Sequence, residues 1–128
     1  MRVLLDTSVF LWFIAGSDKL TNNARNIIND INNELVLSVA SLWEIAIKAS
    51  IGKITLMQPF GQLIPDQLKN NGIAVLPIEL KHLSAMIELP FHHRDPFDRL
   101  IIAQGIAEGF SIISSDSHFR KYTVEVLS

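Results

Sequence analysis

The sequence contains no cysteine, so disulfide bonds, thiol catalysis and thiolate metal sites are all excluded. This absence fits the reducing environment of the cytoplasm, where we expect the protein to act. Also missing is any uninterrupted apolar stretch of the roughly 18–20 residues that a membrane-spanning helix needs. The opening MRVLLDTSVFLWFIAGS has the outward pattern of a signal peptide, but Asp6 interrupts its apolar run. We therefore expect neither a cleaved leader nor an association with a membrane.

The chain also has no excess of positive charge. Its 128 residues carry a formal net charge of −2, and its pI is near 6.0. A nucleic-acid substrate would therefore need a local basic rim rather than a positive field over the whole surface. The mean hydropathy of +0.29 indicates that some apolar surface serves a partner. The length predicts one domain, spanning 1–128.

Short apolar segments alternate with segments of helical periodicity along the whole chain. The strand-like segments show no polar alternation and lie at 2–5, 34–39, 73–78, 111–115 and 124–127. Helical spacing occurs at 9–16, 20–31, 40–50, 79–87 and 96–108, and in a segment that begins between 59 and 65 and ends at 71. This alternation is typical of a parallel β-sheet covered by helices on both faces. The predicted fold class is therefore α/β.

Four acidic residues from distant parts of the chain lie close to the ends of predicted strands. Asp6 comes directly after the first strand, and Asp116 comes directly after the fourth. Glu44 is placed in the first turn of the helix that follows the second strand, and Asp98 in the first turn of the last long helix. Because parallel strands end at the same edge of a sheet, where ligand sites gather, we expect these four carboxylates to meet.

Each of these acids also has a purely structural explanation. Asp6 and Asp116 are placed to cap the helices that follow them. Ser41 and Glu44 fit a capping box, and Glu44 is spaced to pair with Lys48 one turn later. If all four acids had only structural roles, their location at one edge of the sheet would require four independent coincidences. The joint pattern therefore favours a functional cluster.

The string HHRDPFDRLIIAQ carries the acid at the start of the last long helix together with its neighbours. Asp95 is assigned to the N-cap, because a proline follows it at the first helical position. Asp95 is also spaced to pair with Arg99. Asp98 lies at the third helical position and is assigned to the acidic cluster. We expect His92 and His93 to be exposed in the preceding loop.

Carboxylates gathered at one point repel each other and need a proton or a cation. Two of them about 4 Å apart repel by about 4 kcal/mol at an effective dielectric constant of 20. A ligand set of oxygen atoms, without histidine or thiolate, selects hard ions such as Mg²⁺ or Mn²⁺. Such ions clamp phosphate groups and activate water for attack on a phosphodiester. The cluster thus predicts metal-dependent phosphodiester chemistry.

Four strings of the sequence resemble the acidic motifs of the PIN-domain ribonucleases, in particular the VapC-type toxins of bacterial and archaeal toxin–antitoxin pairs. LLDTSVFLW is similar to the first motif and carries Asp6. SVASLWEIAIK is similar to the second and carries Glu44, and HHRDPFDRLIIAQ is similar to the third and carries Asp98. SIISSDSHF is similar to the fourth and carries Asp116. The resemblance covers nearly the whole chain.

This resemblance implies a PIN-like three-layer α/β/α sandwich with a central parallel β-sheet. It implies a Mg²⁺- or Mn²⁺-dependent endoribonuclease that hydrolyses RNA with a metal-activated water. Asp6 and Asp98 would bind the metal directly, Glu44 would bind it or hold a bound water, and Asp116 would complete the site or bind a second ion. Hydroxyl groups beside the acids would fix the carboxylates by hydrogen bonds, and these residues are Thr7, Ser8 and Ser115.

The same resemblance implies the partners of the protein. These are an RNA substrate, a cognate antitoxin protein that holds the enzyme inactive, and a second copy of the chain in a homodimer. The residues assigned to RNA contact are Lys48, Arg94 and Arg99, in a basic rim to which Lys53, Arg120 and Lys121 also contribute.

Other functions remain open at this stage. A receiver domain needs an acid pair after its first strand, and an aspartyl phosphatase needs D-x-D there, whereas this chain has DTS. Neither pattern is complete. The alternative from another class is a non-catalytic binding module, in which a PIN fold keeps its acids for stability and docks a protein or RNA partner. Binding of Mn²⁺ near neutral pH separates this module from the nuclease.

Overall fold

A computed structural model describes residues 1–128, which form a five-stranded parallel sheet and six α-helices. The strand order is β3-β2-β1-β4-β5, and every neighbouring pair is parallel. The strands are β1 (Arg2–Leu5), β2 (Glu34–Ser38), β3 (Ile73–Leu76), β4 (Ser111–Ile113) and β5 (Val126–Leu127). The helices are α1 (Thr7–Ala15), α2 (Asn22–Asn29), α3 (Val39–Ser50), α4 (Phe60–Asn70), α5 (Leu80–Ile87) and α6 (Pro96–Glu108). A short 3₁₀ helix spans Ser117–Lys121.

The sheet separates two hydrophobic cores, which confirms the expected three-layer α/β/α sandwich. Successive side chains of β1 point to opposite faces, as the pleat requires. Val3 and Leu5 pack in the core that also receives side chains of α1, α2 and α4. Leu4 packs in the other core, against α6. Helix α3 contributes Ala40 to that second core and Ile45 to the first.

The strands end earlier than their apolar runs suggest. The third strand ends at Leu76 rather than at 78, because Pro77 has no amide hydrogen to continue the ladder. The fourth ends at Ile113, so Ser114 and Ser115 lie in the connection that follows it. The central acid-bearing edge is therefore made of short connections rather than of strand.

The helix that carries Glu44 begins three residues earlier than the expected capping box requires. Ser38 is the N-cap, and its side chain accepts a hydrogen bond from the amide of Ala40. Ser41 therefore lies inside α3, where it is fully buried and its Oγ accepts the Thr7 hydroxyl at 2.7 Å. The predicted Ser41–Glu44 capping box is wrong, because the helix follows β2 without a loop.

The start of α6 matches the sequence closely. Asp95 is the N-cap, and its Oδ1 accepts the amides of Phe97 at 2.9 Å and Asp98 at 3.1 Å. Pro96 is the first helical residue and Gly109 ends the helix with a φ of 72°. No helix of the structure is both long enough and apolar enough to cross a bilayer.

Candidate metal centre

The carboxyl edge of the sheet holds a cavity of about 280 Å³ that is lined mainly by acidic and hydroxyl side chains. All four predicted acids face it, together with Asp95. The remaining lining residues are Thr7, Ser8, Leu11, Lys48, Ile54 and Ser115. The fold thus brings together carboxylates that are up to 110 positions apart in the chain, from Asp6 to Asp116.

Asp6 links β1 to α1 and is 5% exposed. Its Oδ2 accepts the hydroxyl hydrogen of Ser114 at 2.7 Å. Burial raises the pKa of Asp6, the Ser114 hydroxyl and the Ser8 amide lower it, and the charges of Glu44 and Asp116 raise it further. The net effect is a raised pKa, so this carboxylate is held in surroundings that disfavour its charge.

Glu44 lies in the second turn of α3 rather than in the first, because the helix begins at Val39. It is 5% exposed, and its Oε2 accepts a hydrogen bond from Lys48 Nζ at 2.8 Å. Its other oxygen, Oε1, is buried without any hydrogen-bond partner. A buried carboxylate oxygen without a partner costs free energy, so Oε1 is suited to coordinate a cation.

Asp98 is the third residue of α6. Its pKa is raised from 3.8 to about 8, first by burial and then by the charges of Asp6, Asp95, Glu44 and Asp116. The positive end of the helix dipole does not outweigh these effects. A cation bound beside Asp98 would therefore favour the charged form of this carboxylate.

Asp116 differs from the other three acids because its oxygens already have donors. Oδ1 accepts the amide of His118 and the ring Nδ1 of His118, both at 2.9 Å. Oδ2 lies 2.8 Å from His93 Nε2. Burial raises its pKa, but the hydrogen bonds from His118 and His93 outweigh burial, and the pKa is lowered. Asp116 also caps the 3₁₀ helix, as expected.

His93 belongs to the acidic site, which the sequence did not reveal. Its Nε2 lies 2.8 Å from Asp116 Oδ2 and 3.1 Å from Asp98 Oδ2. Its side chain is only 14% exposed, so the expectation that both histidines are exposed is wrong for His93. His92 is exposed and lies edge-on to the ring of Tyr122. The one feature of the sequence that could have indicated this role is the position of His93, two residues before the helix cap at Asp95.

The hydroxyl that supports the acids is that of Ser114 and not that of Ser115. Ser115 lines the cavity but is exposed, whereas Ser114 is buried and contacts Asp6. Adjacent residues of an extended segment point in opposite directions. The hydroxyl group of Ser114 therefore faces Asp6, whereas that of its neighbour Ser115 does not. Thr7 donates to Ser41 rather than to a carboxylate, and Ser8 acts on Asp6 through its backbone amide.

The predicted basic rim is only partly formed. Lys48 faces the cavity, and Arg94 is exposed on the loop before α6. Arg99 is 6% exposed, and its guanidinium donates to backbone carbonyls at the end of α5 and in the loop before α6. These acceptors are Met86, Leu89, Pro90 and His93. The expectations that Arg99 contacts RNA and that it pairs with Asp95 are therefore wrong, because a buried guanidinium reaches neither.

The residues that line the cavity fit a hard divalent cation. Carboxylate oxygens dominate the lining, the ligand type that such ions prefer. Glu44 Oε1 has no partner, and the pKa of Asp98 is raised first by burial and then by the negative charges around it. A cation bound by Asp6, Glu44 and Asp98 would relieve both effects.

A second cluster of a histidine and two acids lies between α5 and the end of α6. The fully buried His82 accepts the Glu79 amide at Nδ1, and its Nε2 lies 2.8 Å from Glu108. Glu108 also pairs with Lys81 at 2.9 Å. Every polar group of this cluster thus has a partner, and its role is to hold α5 against α6.

The fold and the acidic edge define the family of the protein. A family model described as the PIN domain matches residues 3–125. The chain therefore belongs to the PIN-domain family. Among curated proteins, Ribonuclease VapC16 of Mycobacterium tuberculosis (strain ATCC 25618 / H37Rv) is 36% identical over 61 residues. That stretch covers 48% of this chain and 43% of the relative, which is less than half of the relative's length.

Solved structures share the whole fold at low sequence identity. VapBC2 of Rickettsia felis, bound to a promoter DNA fragment, matches with a TM-score of 0.75 and 17% identity over 99% of this chain and 98% of that one. VapBC-1 of nontypeable Haemophilus influenzae matches with a TM-score of 0.70 and 18% identity over 100% and 98%. FitAcB of Neisseria gonorrhoeae matches with a TM-score of 0.66 and 13% identity over 98% and 96%.

Proposed function

We propose that this protein is a Mg²⁺- or Mn²⁺-dependent endoribonuclease that acts in the cytoplasm as the toxin of a toxin–antitoxin pair. The observation that carries the proposal is the buried Glu44 Oε1, unpartnered, in a cavity shared with Asp6 and Asp98. The partial match to a protein named a ribonuclease supports the same chemistry. Membership of the PIN-domain family is consistent with it.

In this proposal Asp6, Glu44 and Asp98 would hold the ion, and Asp116 would add its negative charge beside them. When bound, the ion supplies positive charge to the phosphodiester and lowers the pKa of a water molecule that acts as nucleophile. The Ser114 hydroxyl fixes the rotamer of Asp6. Lys48 fixes Glu44 and directs a positive charge toward the cavity, and its raised pKa keeps it charged.

Loss of a single cavity acid tests the proposal. We expect D98N to reduce Mg²⁺-dependent cleavage of total RNA by at least about 100-fold, as removal of one transition-state-stabilising group does. The matched control is D66N, which changes an exposed acid of α4 outside the cavity. Cleavage is followed by sequencing the fragments, which also identifies the RNA target.

The outcomes separate the two functions under consideration. Cleavage by wild type and D66N, its loss in D98N and its loss with a chelator support the nuclease. Equal cleavage by D98N and wild type contradicts the assignment of Asp98. A wild-type chain that neither cuts RNA nor binds Mn²⁺ near neutral pH favours the non-catalytic binding module instead.

We also propose that the antitoxin covers an apolar groove beside the acidic cavity. This groove has a volume of about 260 Å³ and shares Leu11 and Ile54 with the acidic cavity. It runs between α1 and the connection after α3, and its other apolar residues are Trp12, Ile14, Ala15, Leu56, Met57 and Leu63. A partner seated there reaches the mouth of the acidic cavity. The structural neighbours that are toxin–antitoxin complexes are consistent with such a partner.

The expected homodimer remains part of the proposal. Three large side chains on and after α5 are mostly exposed, Leu80 at 82%, Ile87 at 74% and Phe91 at 77%. Large apolar side chains that are exposed in this way are suited to association of protein chains. The proposal is therefore an RNA-cutting dimer that an antitoxin inhibits.

A further inference from the structure

We infer that His93 restricts this site to a single cation, because its imidazole fills the gap between Asp98 and Asp116. This inference rests on the proposed metal-dependent function. Nε2 of His93 lies 3.1 Å from Asp98 Oδ2 and 2.8 Å from Asp116 Oδ2. A second ion held by these two carboxylates would need the space that the ring nitrogen takes. The ion then lies in the other part of the cavity, which Asp6, Glu44 and Asp98 line.

The tautomer of His93 makes it a hydrogen-bond donor to the acids and not a metal ligand. The backbone amide of Asp95 donates to Nδ1 at 3.1 Å, so Nδ1 presents its lone pair and the ring proton is on Nε2. Nε2–H then points at the oxygens of Asp98 and Asp116. Coordination of a metal ion through Nε2 would require the ring proton on Nδ1. That proton would then face the backbone N–H of Asp95, the cap of α6, and the hydrogen bond between them would be lost. The trio His93, Asp98 and Asp116 therefore does not form a metal site of its own.

Asp116 has little acceptor capacity left for an ion. Three donors already contact it, from the His118 amide, the His118 ring and His93. A carboxylate offers about four acceptor positions in all. Glu44 presents the opposite case, because its Oε1 has no donor at all. We therefore expect a cation to bind on the Glu44 side of the cavity.

The ring of His93 is held in this position by several contacts. Its backbone amide donates to the Tyr122 hydroxyl at 2.8 Å, and that hydroxyl donates to the Pro90 carbonyl at 2.8 Å. Arg99 donates to the Pro90 carbonyl at 3.0 Å, on the same loop. The ring also lies edge-on to Phe119, with 5.9 Å between centroids. The backbone of His93 is thus held by the loop, and its ring is held by Phe119 and by the amide of Asp95.

The number of Mn²⁺ ions bound per chain tests the inference, by equilibrium dialysis of the 128-residue protein followed by metal analysis. We expect one ion for wild type and two for H93A, in which the gap opens and Asp116 loses a donor. H93Q places an amide donor close to the position of Nε2, so we expect it to restore one ion. The matched control H92A removes the neighbouring, exposed histidine, and we expect it to bind one ion.

The outcomes distinguish this inference from the proposed function on which it rests. Two ions bound by wild type overturn the inference and leave the metal-dependent nuclease intact. One ion bound by a folded H93A overturns the role of His93. No ion bound by wild type overturns the proposed function and the inference with it. If H93A fails to fold, as judged by circular dichroism, the counts for wild type and H93Q still decide, because two ions in either contradict the inference.

Discussion

Asp98 is the residue whose ionisation is most disturbed by its surroundings. Its side chain is 17% exposed and faces a cavity shared with four other acids. Its pKa of about 8 means that the proton stays on at neutral pH unless a cation replaces it. A proton and a metal ion therefore compete for the carboxylate oxygens of Asp98.

This raised pKa gives the metal-free protein a definite pH dependence. The folded state keeps the Asp98 proton up to about pH 8, whereas the unfolded state loses it near its ordinary pKa of 3.8. Stability is therefore greatest below pH 4 with respect to this group, and it is lost as the pH rises toward 8. In the pH range where only the folded state keeps this proton, the free energy of unfolding falls by about 1.4 kcal/mol per pH unit.

Two other acids of the site also have shifted pKa values, in opposite directions. The pKa of Asp6 is also raised, chiefly by burial, so Asp6 acts in the same direction. The pKa of Asp116 is lowered, since its hydrogen bonds outweigh burial, so its contribution is complete above its ordinary range. Urea titrations in a chelator at pH 5 and pH 8 measure the difference in the free energy of unfolding.

The D98N and D66N variants test whether Asp98 causes this pH dependence of stability. We expect D98N to flatten the pH dependence, because the amide does not titrate, and D66N to keep the wild-type slope. A free energy of unfolding that rises for wild type between pH 5 and pH 8 contradicts the proposed environment of Asp98.

The sequence predicted the residues whose position follows from the ends of strands. Asp6 directly follows β1 and Asp116 lies in the short connection after β4, so the topology alone brings them to one edge. His93, Ser114 and the buried Arg99 were missed or misplaced. Their roles depend on which way a side chain points in an irregular loop, and no periodicity governs that direction.

At the scale of secondary structure, α6 is the element that organises the site. It carries Asp98 at its first turn, and it is buried continuously from Arg99 to Gly105. Gly105 faces β4 at close range, because a Cβ built there would lie 2.8 Å from Ile112 Cδ1 and 3.3 Å from Val124 Cγ2. The absence of a side chain at this position lets the helix approach the sheet.

We expect G105A to lower the free energy of unfolding by up to about 2 kcal/mol. Overpacking of a dense core costs about 1–3 kcal/mol and outweighs the gain in helix propensity of about 1 kcal/mol. The matched control is G61A in α4, where a Cβ would meet no atom within 4 Å. We expect no loss of stability there. Urea denaturation measures both, and a G105A protein as stable as G61A would contradict the close packing.

Most elements could be predicted from sequence because parallel strands buried on both faces are short, uninterrupted apolar runs. Their ends could not be predicted to the residue. Ser38 and Ser41 are equally good capping residues in isolation, and only the direct passage from β2 to α3 selects Ser38. Pro77 was a usable signal for the end of β3, since it cannot donate to a ladder.

At the scale of the whole molecule, the strand order accounts for the charge cluster. Central strand β1 lies between β2 and β4, and the connections after these three strands lead to Asp6, Glu44 and Asp116. Helix α6 packs on one face of the sheet, and its first turn adds Asp98 at this edge. The molecule therefore concentrates negative charge at a single point, although its net charge is only −2. This concentration destabilises the free protein and favours binding of a cation.

The most direct test of this account is an anomalous difference map from crystals grown with Mn²⁺. We expect one strong peak inside the cavity, in contact with carboxylate oxygens of Asp6, Glu44 and Asp98. A map without a peak in this cavity, or with its main peak beside Glu79, His82 and Glu108, would contradict the assignment of the site.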